Sequence, residues 1–234
     1  MIRISVVGAS GRMGQELYHV IHSASHLKAS VGFVSKKKQG TPFQFTSHQF
    51  DKESALKTDV VIDFSSLEAL PEVVEFCLKH RLPLVCGTTG VNESHLEKLK
   101  KAGKKIPVLW SPNMSVGVAV LRKALSALSA IPDFDYQVEE FHHNKKKDNP
   151  SGTALQIQHS LEKAIQKKCP KPIGIRGGGI IGLHKVYAMS DEEVLVFEHQ
   201  AIHRRVFAKG AVRAALWLRK QKPGFYGIDD LLLK

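Results

Sequence analysis

"IRISVVGASGRMGQEL", residues 2–17, decides how the rest of the chain is read. It opens with β-branched and apolar residues, closes with helix-like spacing, and places Gly8, Gly11 and Gly14 between the two. Glycines at a strand-to-helix turn permit a tight bend and a close approach of backbone to a pyrophosphate, which the helix N-terminus then attracts. The spacing G-x-x-G-x-x-G is a variant of the usual dinucleotide fingerprint, weak alone and informative inside a strand–turn–helix context. A plain strand-to-helix turn, the alternative, has no need of three glycines at this spacing. Ser10 shares the turn and joins the candidate cofactor contacts.

Outward from this turn, the first half alternates short buried-type strands with helices. Strands are expected at 2–8, 29–34, 59–64, 82–87 and 106–110, and helices near 12–24, 67–80 and 92–103. Such alternation predicts a parallel sheet covered on both faces, a Rossmann-type doubly wound α/β fold. The second half reads differently. Helices near 116–129 and from Ser151 to about Lys168 flank a strand at 135–143. "GIRGGG", "GLHKVYAMS" and "EEVLVFEHQA" then suggest strands separated by glycine and acidic turns, before a last helix near 206–219. The expected second domain is a smaller α+β unit with an open mixed sheet. A nucleotide-type domain followed by this second domain divides the chain near Pro112.

The 34 basic and 22 acidic residues give a formal charge of +12, which attracts anions without saying which kind. Aromatic residues make up 7%, without the basic–aromatic interleaving that stacks bases, so no nucleic-acid partner is expected. No apolar run reaches membrane-span length, and "MIRISVVGAS" lacks a secretory leader's pattern. Three cysteines without metal-ligand spacing, Cys77, Cys86 and Cys169, suit a reducing cytoplasm, and no metal site is expected.

The second strand should end near Val34, where an acidic residue commonly holds the ribose 2′-hydroxyl of NAD. Here the sequence is "SKKK", residues 35–38, with no carboxylate before Asp51. Lysines attract a 2′-phosphate, so NADPH is expected to be preferred, NADH remaining a second cofactor, with Ser35 and Lys36 as contacts. A solvated loop whose lysines touch nothing is the alternative. Two further turns fall at strand ends, "DFSS" (63–66) and "GTTG" (87–90). Gly87, Thr88, Thr89 and Gly90 offer amides and hydroxyls without bulk, suited to the edge of a nicotinamide ring.

"EFHHNKKKDNPSGTA", residues 140–154, brings together a proton donor, cations and a helix start. Adjacent histidines on a strand point to opposite faces, so only one of His142 and His143 faces a given cleft. Histidine can give up a proton near neutral pH. The amides of a helix opening at Ser151-Gly152-Thr153 bind anions. The combination suits an acidic small molecule. Other readings stay open: either histidine could fill a core, Lys145 and Lys147 could be solvated, and Ser151 could cap the helix.

This last segment resembles the signature of the bacterial dihydrodipicolinate reductases, now called 4-hydroxy-tetrahydrodipicolinate reductases. The resemblance extends along nearly the whole chain, through "GASGRMG" (8–14), "DFS" (63–65), "GTTG" (87–90) and "SPNMSVGV" (111–118). It continues in "RGGGIIGLHKV" (176–186), "RRVFAKGAVRAALWL" (204–218) and the closing "PGFYGIDDLL". It implies reduction of a cyclic dicarboxylate with NADPH or NADH in diaminopimelate and lysine biosynthesis. Carried over by motif, it makes His142 the general acid and Lys146 a second catalytic residue, with His143, Gly152 and Thr153 binding substrate carboxylate. Gly8, Arg12, Met13, Phe64, Gly87, Thr89 and the segment Ser111, Asn113 and Met114 become cofactor contacts, joined by Arg204 where the chain returns to the cofactor domain. The resemblance thus implies a dinucleotide-binding domain of residues 1–112 and 204–234 and a substrate-binding and oligomerisation domain of 113–203, with the family's homotetramers, built through the second-domain sheet, as the expected assembly. Met114 stands where the family commonly has phenylalanine, and "SKKK" where many members have an acidic residue. A different Rossmann reductase and a polyanion binder are the competing classes. The first does not account for the His-His-x-x-Lys stretch, nor the second for the glycine turn.

Overall fold

The computed structural model describes residues 1–35 and 41–232, so Lys36 and its two neighbouring lysines lie outside the described residues. The chain divides into two compact units, Met1–Ser115 with Arg205–Lys234, and Val116–Arg204.

β1 (Ile2–Val7) leads through the glycine turn to α1 (Arg12–His22), β2 (Leu27–Phe33), β3 (Phe45–Ser47) and α2 (Lys52–Leu56). Then follow β4 (Val60–Asp63), α3 (Leu70–His80), β5 (Leu84–Cys86), α4 (Glu93–Gly103) and β6 (Pro107–Trp110). The second unit holds α5 (Val116–Ala124), a short 3-10 segment (Leu125–Ala130), β7 (Asp135–His142), α6 (Gly152–Ile165), β8 (Ile173–Arg176), β9 (Leu183–Met189) and β10 (Val194–Gln200). The chain then returns to the first unit with α7 (Arg205–Leu218) and β11 (Gly224–Tyr226).

The first unit is a seven-stranded sheet in the order β11-β6-β5-β4-β1-β2-β3, parallel at every pairing. Strand order reverses between β1 and β4, the place where open α/β sheets bind ligands beyond their carboxyl ends. Apolar residues of alternate strand positions serve opposite faces. Val7, Val61, Leu84 and Val108 pack with Val73, Phe76 and Cys77 of α3 and with Leu99 of α4. α1 and α7 pack against each other, and α7 also lies on β4, β5 and β6. Local chemistry fixes the helix ends. Asn92 caps α4 by accepting from the His95 amide at 3.0 Å. α3 ends where Arg81 turns left-handed at φ 54°.

The second unit's sheet runs β10-β9-β7-β8, with β8 parallel to β7 and the other pairings antiparallel, the mixed sheet expected. Tyr136 and Val138 of β7 and Val186 and Ala188 of β9 point to one face, where they pack with Ile157 and Leu161 of α6. On the other face Ile173, Ile175, Val194 and Val196 stay exposed. Cys77 and Cys86 are buried free thiols and Cys169 is half-buried. Among the described residues no helix is long and apolar enough to cross a membrane.

Four short elements among the described residues escaped the sequence reading: β3, α2, β11 and a closing 3-10 turn, Ile228–Leu232. β3 (FTS) and β11 (GFY) lack the apolar, β-branched run that marks β5, which is equally short. α2, five residues long, depends on Asp51, whose side chain accepts from the Ser54 amide at 2.7 Å.

Candidate functional site

In the first unit the glycine turn sits where the strand order reverses. Gly8 adopts φ +81°, and a Cβ there would lie 2.5 Å from the Phe64 carbonyl oxygen at the end of β4. The two turns therefore touch, which only glycine permits. A Cβ on Gly14 would lie 2.4 Å from the carbonyl oxygens of Gly8 and Ala9, so α1 closes directly onto its own turn. The Gly8 and Ala9 amides each donate to the Phe33 carbonyl at 3.1 Å, tying the turn to β2. The first-turn amides of α1, those of Arg12 and Met13 included, have no intrahelical acceptor. Beside them lies a cavity of about 400 Å³ whose lining includes Gly8, Ser10, Gly11, Ser35, Phe64 and Glu72. The tight turn, the bare helix start and the cavity fit a dinucleotide. Glu72 adds a carboxylate where the sequence pointed only to cations.

Asp63, the last residue of β4, is fully buried. It accepts from the Ser65 amide at 3.0 Å, the Ser65 hydroxyl at 2.5 Å and the Thr88 hydroxyl at 2.9 Å. It thus clamps the 63–66 turn to the 87–90 turn. Burial raises its pKa above the ordinary value, against the pull of these donors. The Phe64 ring lies on Gly87, where a Cβ would be 2.5 Å from the ring.

Two side chains are placed differently from the sequence reading. The Thr88 hydroxyl turns inward to Asp63, so this side chain holds the turn and does not face a ligand, while Thr89 is exposed. Met114 is only 1% exposed, a core side chain. Ser111 is buried and its hydroxyl donates to the Asn113 carbonyl at 2.6 Å, bracing that segment. Arg204 is the last residue of the second unit, not a member of the first, and sits half-buried in the turn before α7.

In the second unit, β7 alternation puts Glu140 and His142 on the inward face, while His143 lies just past the strand. Glu140 is fully buried and its Oε2 accepts from His142 Nδ1 at 2.5 Å. Arg176 grips the same carboxylate with both terminal nitrogens, at 2.9 and 2.7 Å, and the Ser151 amide donates to it at 2.8 Å. Burial disfavours the Glu140 charge, but Arg176, His142 and the Ser151 amide overcome it and hold the pKa below the usual carboxylate range. Burial lowers the His142 pKa, with Glu140 pulling the other way.

Lys146 is half-buried, unlike the exposed Lys145 and Lys147, and its Nζ lies 2.8 Å from Asp148 Oδ1. Burial works against the Asp148 charge; Lys146 and the Gly152 amide outweigh it, keeping that pKa low. Ser151 does cap α6, accepting from the Ala154 amide at 3.2 Å. Gly152 is exposed, with open space where a Cβ would stand, and Thr153 is half-buried beside it. The His143 amide donates to the Ile180 carbonyl at 2.6 Å. His184, on β9, packs edge-on against His142 with ring centroids 5.3 Å apart, and burial drives its pKa down to about 3.

Sequence reasoning missed Asp63, Glu140, Arg176, Asp148 and His184. For Glu140 a signal existed, since a residue two places before His142 on a strand shares its face. For Arg176 there was none, because its role follows from the parallel pairing of β8 with β7.

A nucleotide-type turn at the reversal point of a parallel sheet places the protein in the Rossmann-type doubly wound class. Its particular lineage follows from the two halves taken together. Residues 2–114 match the family described as dihydrodipicolinate reductase, N-terminus, and residues 117–232 that described as dihydrodipicolinate reductase, C-terminus. The chain belongs to the dihydrodipicolinate reductase family. It is 52% identical over 231 residues to a Bdellovibrio bacteriovorus protein named 4-hydroxy-tetrahydrodipicolinate reductase, covering 99% of this chain and 96% of that one. A Wolinella succinogenes protein of the same name is 40% identical, with 99% of each chain covered. A solved dihydrodipicolinate reductase from Paenisporosarcina sp. TG-14, bound to dipicolinate, shares the fold with a TM-score of 0.83. It is 22% identical, and the match covers 98% of this chain and 99% of that one.

Replacing Asp63 with alanine would leave the Thr88 hydroxyl and the Ser65 donors without their acceptor. A destabilisation of about 1–3 kcal/mol is expected, read from urea unfolding midpoints.

Proposed function

We propose that this protein catalyses the NAD(P)H-dependent reduction of 4-hydroxy-tetrahydrodipicolinate to tetrahydrodipicolinate, in diaminopimelate and lysine biosynthesis. The observation that carries this reading is the 52% identity, over 99% of the chain, to a protein of that name. The second unit supports it by gathering His142, Lys146 and the start of α6 in one segment.

In this reading the first unit binds the cofactor. The glycine turn at Gly8 and Gly11 and the amides of Arg12 and Met13 hold the pyrophosphate, and Phe64, Gly87 and Thr89 line the nicotinamide end. The Asn113 segment completes the cofactor contacts. The bound nicotinamide supplies the hydride. The second unit binds the dicarboxylate and supplies the proton. Lys146, His143 and the amides of Gly152 and Thr153 hold carboxylates, which fixes orientation, and orientation alone can provide much of an acceleration. Asp148 already occupies Lys146 and the Gly152 amide, so a substrate carboxylate takes over an existing anion position. The substrate's 4-hydroxyl group departs as water, and His142, as imidazolium, gives the proton that balances hydride addition.

His142→Gln is expected to lower kcat by on the order of 10²–10⁴ with KM little changed. Thr153→Val should mainly raise KM for the substrate. The assay is NADPH oxidation fed with fresh product of the preceding synthase, and a near wild-type kcat in His142→Gln would sink the acid assignment.

NADPH is the preferred cofactor in this reading, because Ser35 lines the cavity and three lysines follow it in sequence. Glu72, lining the same cavity, works against a 2′-phosphate and limits the preference. The ratio of kcat/KM for NADPH to that for NADH should fall in Lys36→Glu, and an unchanged ratio refutes the assignment.

In the same reading the protein is a cytoplasmic homotetramer, and the exposed apolar side chains of β8 and β10 support assembly through the outer face of the second sheet. Sedimentation of the intact protein should give four chains per particle, and a monomer would refute it.

A further inference from the structure

His142 is held by a residue to which the proposed reaction gives no part. Glu140 is 0% exposed and collects its donors from three elements: His142 on its own strand, Arg176 on β8, and the Ser151 amide at the start of α6. A carboxylate gripped by both terminal nitrogens of an arginine stays ionised. An ionised carboxylate only accepts hydrogen bonds, so the nitrogen facing it must carry a hydrogen. That nitrogen is Nδ1, 2.5 Å away. Nε2 is then the position at which the ring gains or loses its exchangeable proton. Its surroundings are kept clear by Gly182, where a Cβ would stand 3.1 Å from Nε2.

We propose that Glu140 is a positioning residue, whose carboxylate holds the Nδ1 proton of His142 and thereby assigns proton delivery to Nε2. The inference rests on the reading of His142 as the proton donor. It also sets the pH range in which the donor is charged. Burial lowers the proton affinity of His142, and Lys146 and Arg176 push the same way. His184 faces the ring from β9, with His199 of β10 beyond it, and Asp148 is paired to Lys146. Of the groups acting on the ring, Glu140 is the one that favours the imidazolium. Without that carboxylate the donor form would be lost at a lower pH.

The test is ¹⁵N NMR of the full chain with labelled histidine, read together with the pH profile of kcat. In the wild type the neutral His142 ring should be the Nδ1–H tautomer. In Glu140→Gln, Arg176 and the Ser151 amide claim the amide oxygen, so the amide N–H turns to Nδ1. The ring should then switch to Nε2–H, with its titration midpoint about 1–3 pH units lower. The alkaline limb of kcat should move down by the same interval, because the imidazolium is the active form. A merely structural role would lower kcat at every pH and leave the limb in place. Glu140→Asp, which keeps the charge, should restore the Nδ1–H tautomer. If Glu140→Gln does not fold, Glu140→Gln with Arg176→Met buries no unpaired charge and serves instead, and the wild-type tautomer is read without any substitution. An Nε2–H tautomer in the wild type, or an unmoved midpoint in Glu140→Gln, overturns the proposal. A shifted midpoint with an unmoved kcat limb upholds the hold of Glu140 on His142, and refutes only the reading of His142 as donor.

Discussion

A carboxylate cut off from water has to find its donors within the protein, and the second unit is arranged around that need at Glu140. Removing an ionised side chain from water costs several kcal/mol even after relaxation, unless geometry and hydrogen bonding compensate. Here the compensation draws on three separate pieces of chain. β8 must lie parallel beside β7 for Arg176 to reach, with His142 and Arg176 in register. α6 must begin where the Ser151 amide points inward, which its own capping hydroxyl secures. The histidine is the third donor. The contact that makes burial tolerable is therefore the one that orients the ring.

The first unit solves the same problem differently. Asp63 is as deeply buried, yet its donors are hydroxyls, an amide and the Cys86 thiol, with no cation among them. The outcome for the proton is opposite: burial raises the Asp63 pKa, whereas Arg176 helps keep that of Glu140 low.

The parallel sheet was legible because buried strands of β-branched residues alternate with amphipathic helices, and each of the longer elements announced itself by period. β3, α2 and β11 were not: β3 and β11 lack the apolar run that revealed β5, no longer than they are, and α2 is only five residues long. Within the sites, the glycines and the His-His-x-x-Lys run could be read because their chemistry is carried by local spacing. Asp63, Arg176 and His184 could not, because each gains its meaning from a neighbour far along the chain. Thr88 shows the limit from the other side: a hydroxyl in a glycine-rich turn looks the same in sequence whether it faces a ligand or a buried carboxylate.

The return of the chain to the first unit has a consequence for its birth on the ribosome. β6 gains its outer neighbour only when residues 224–226 pair with residues 107–109. At about 5–20 residues per second, that leaves the β6 edge open for on the order of ten seconds of translation. An unpaired edge strand is a template for other chains. The whole second unit emerges during that interval while the first sheet waits unfinished. Topology, more than the strength of any contact, thus sets the period in which a nascent chain is most open to mispairing.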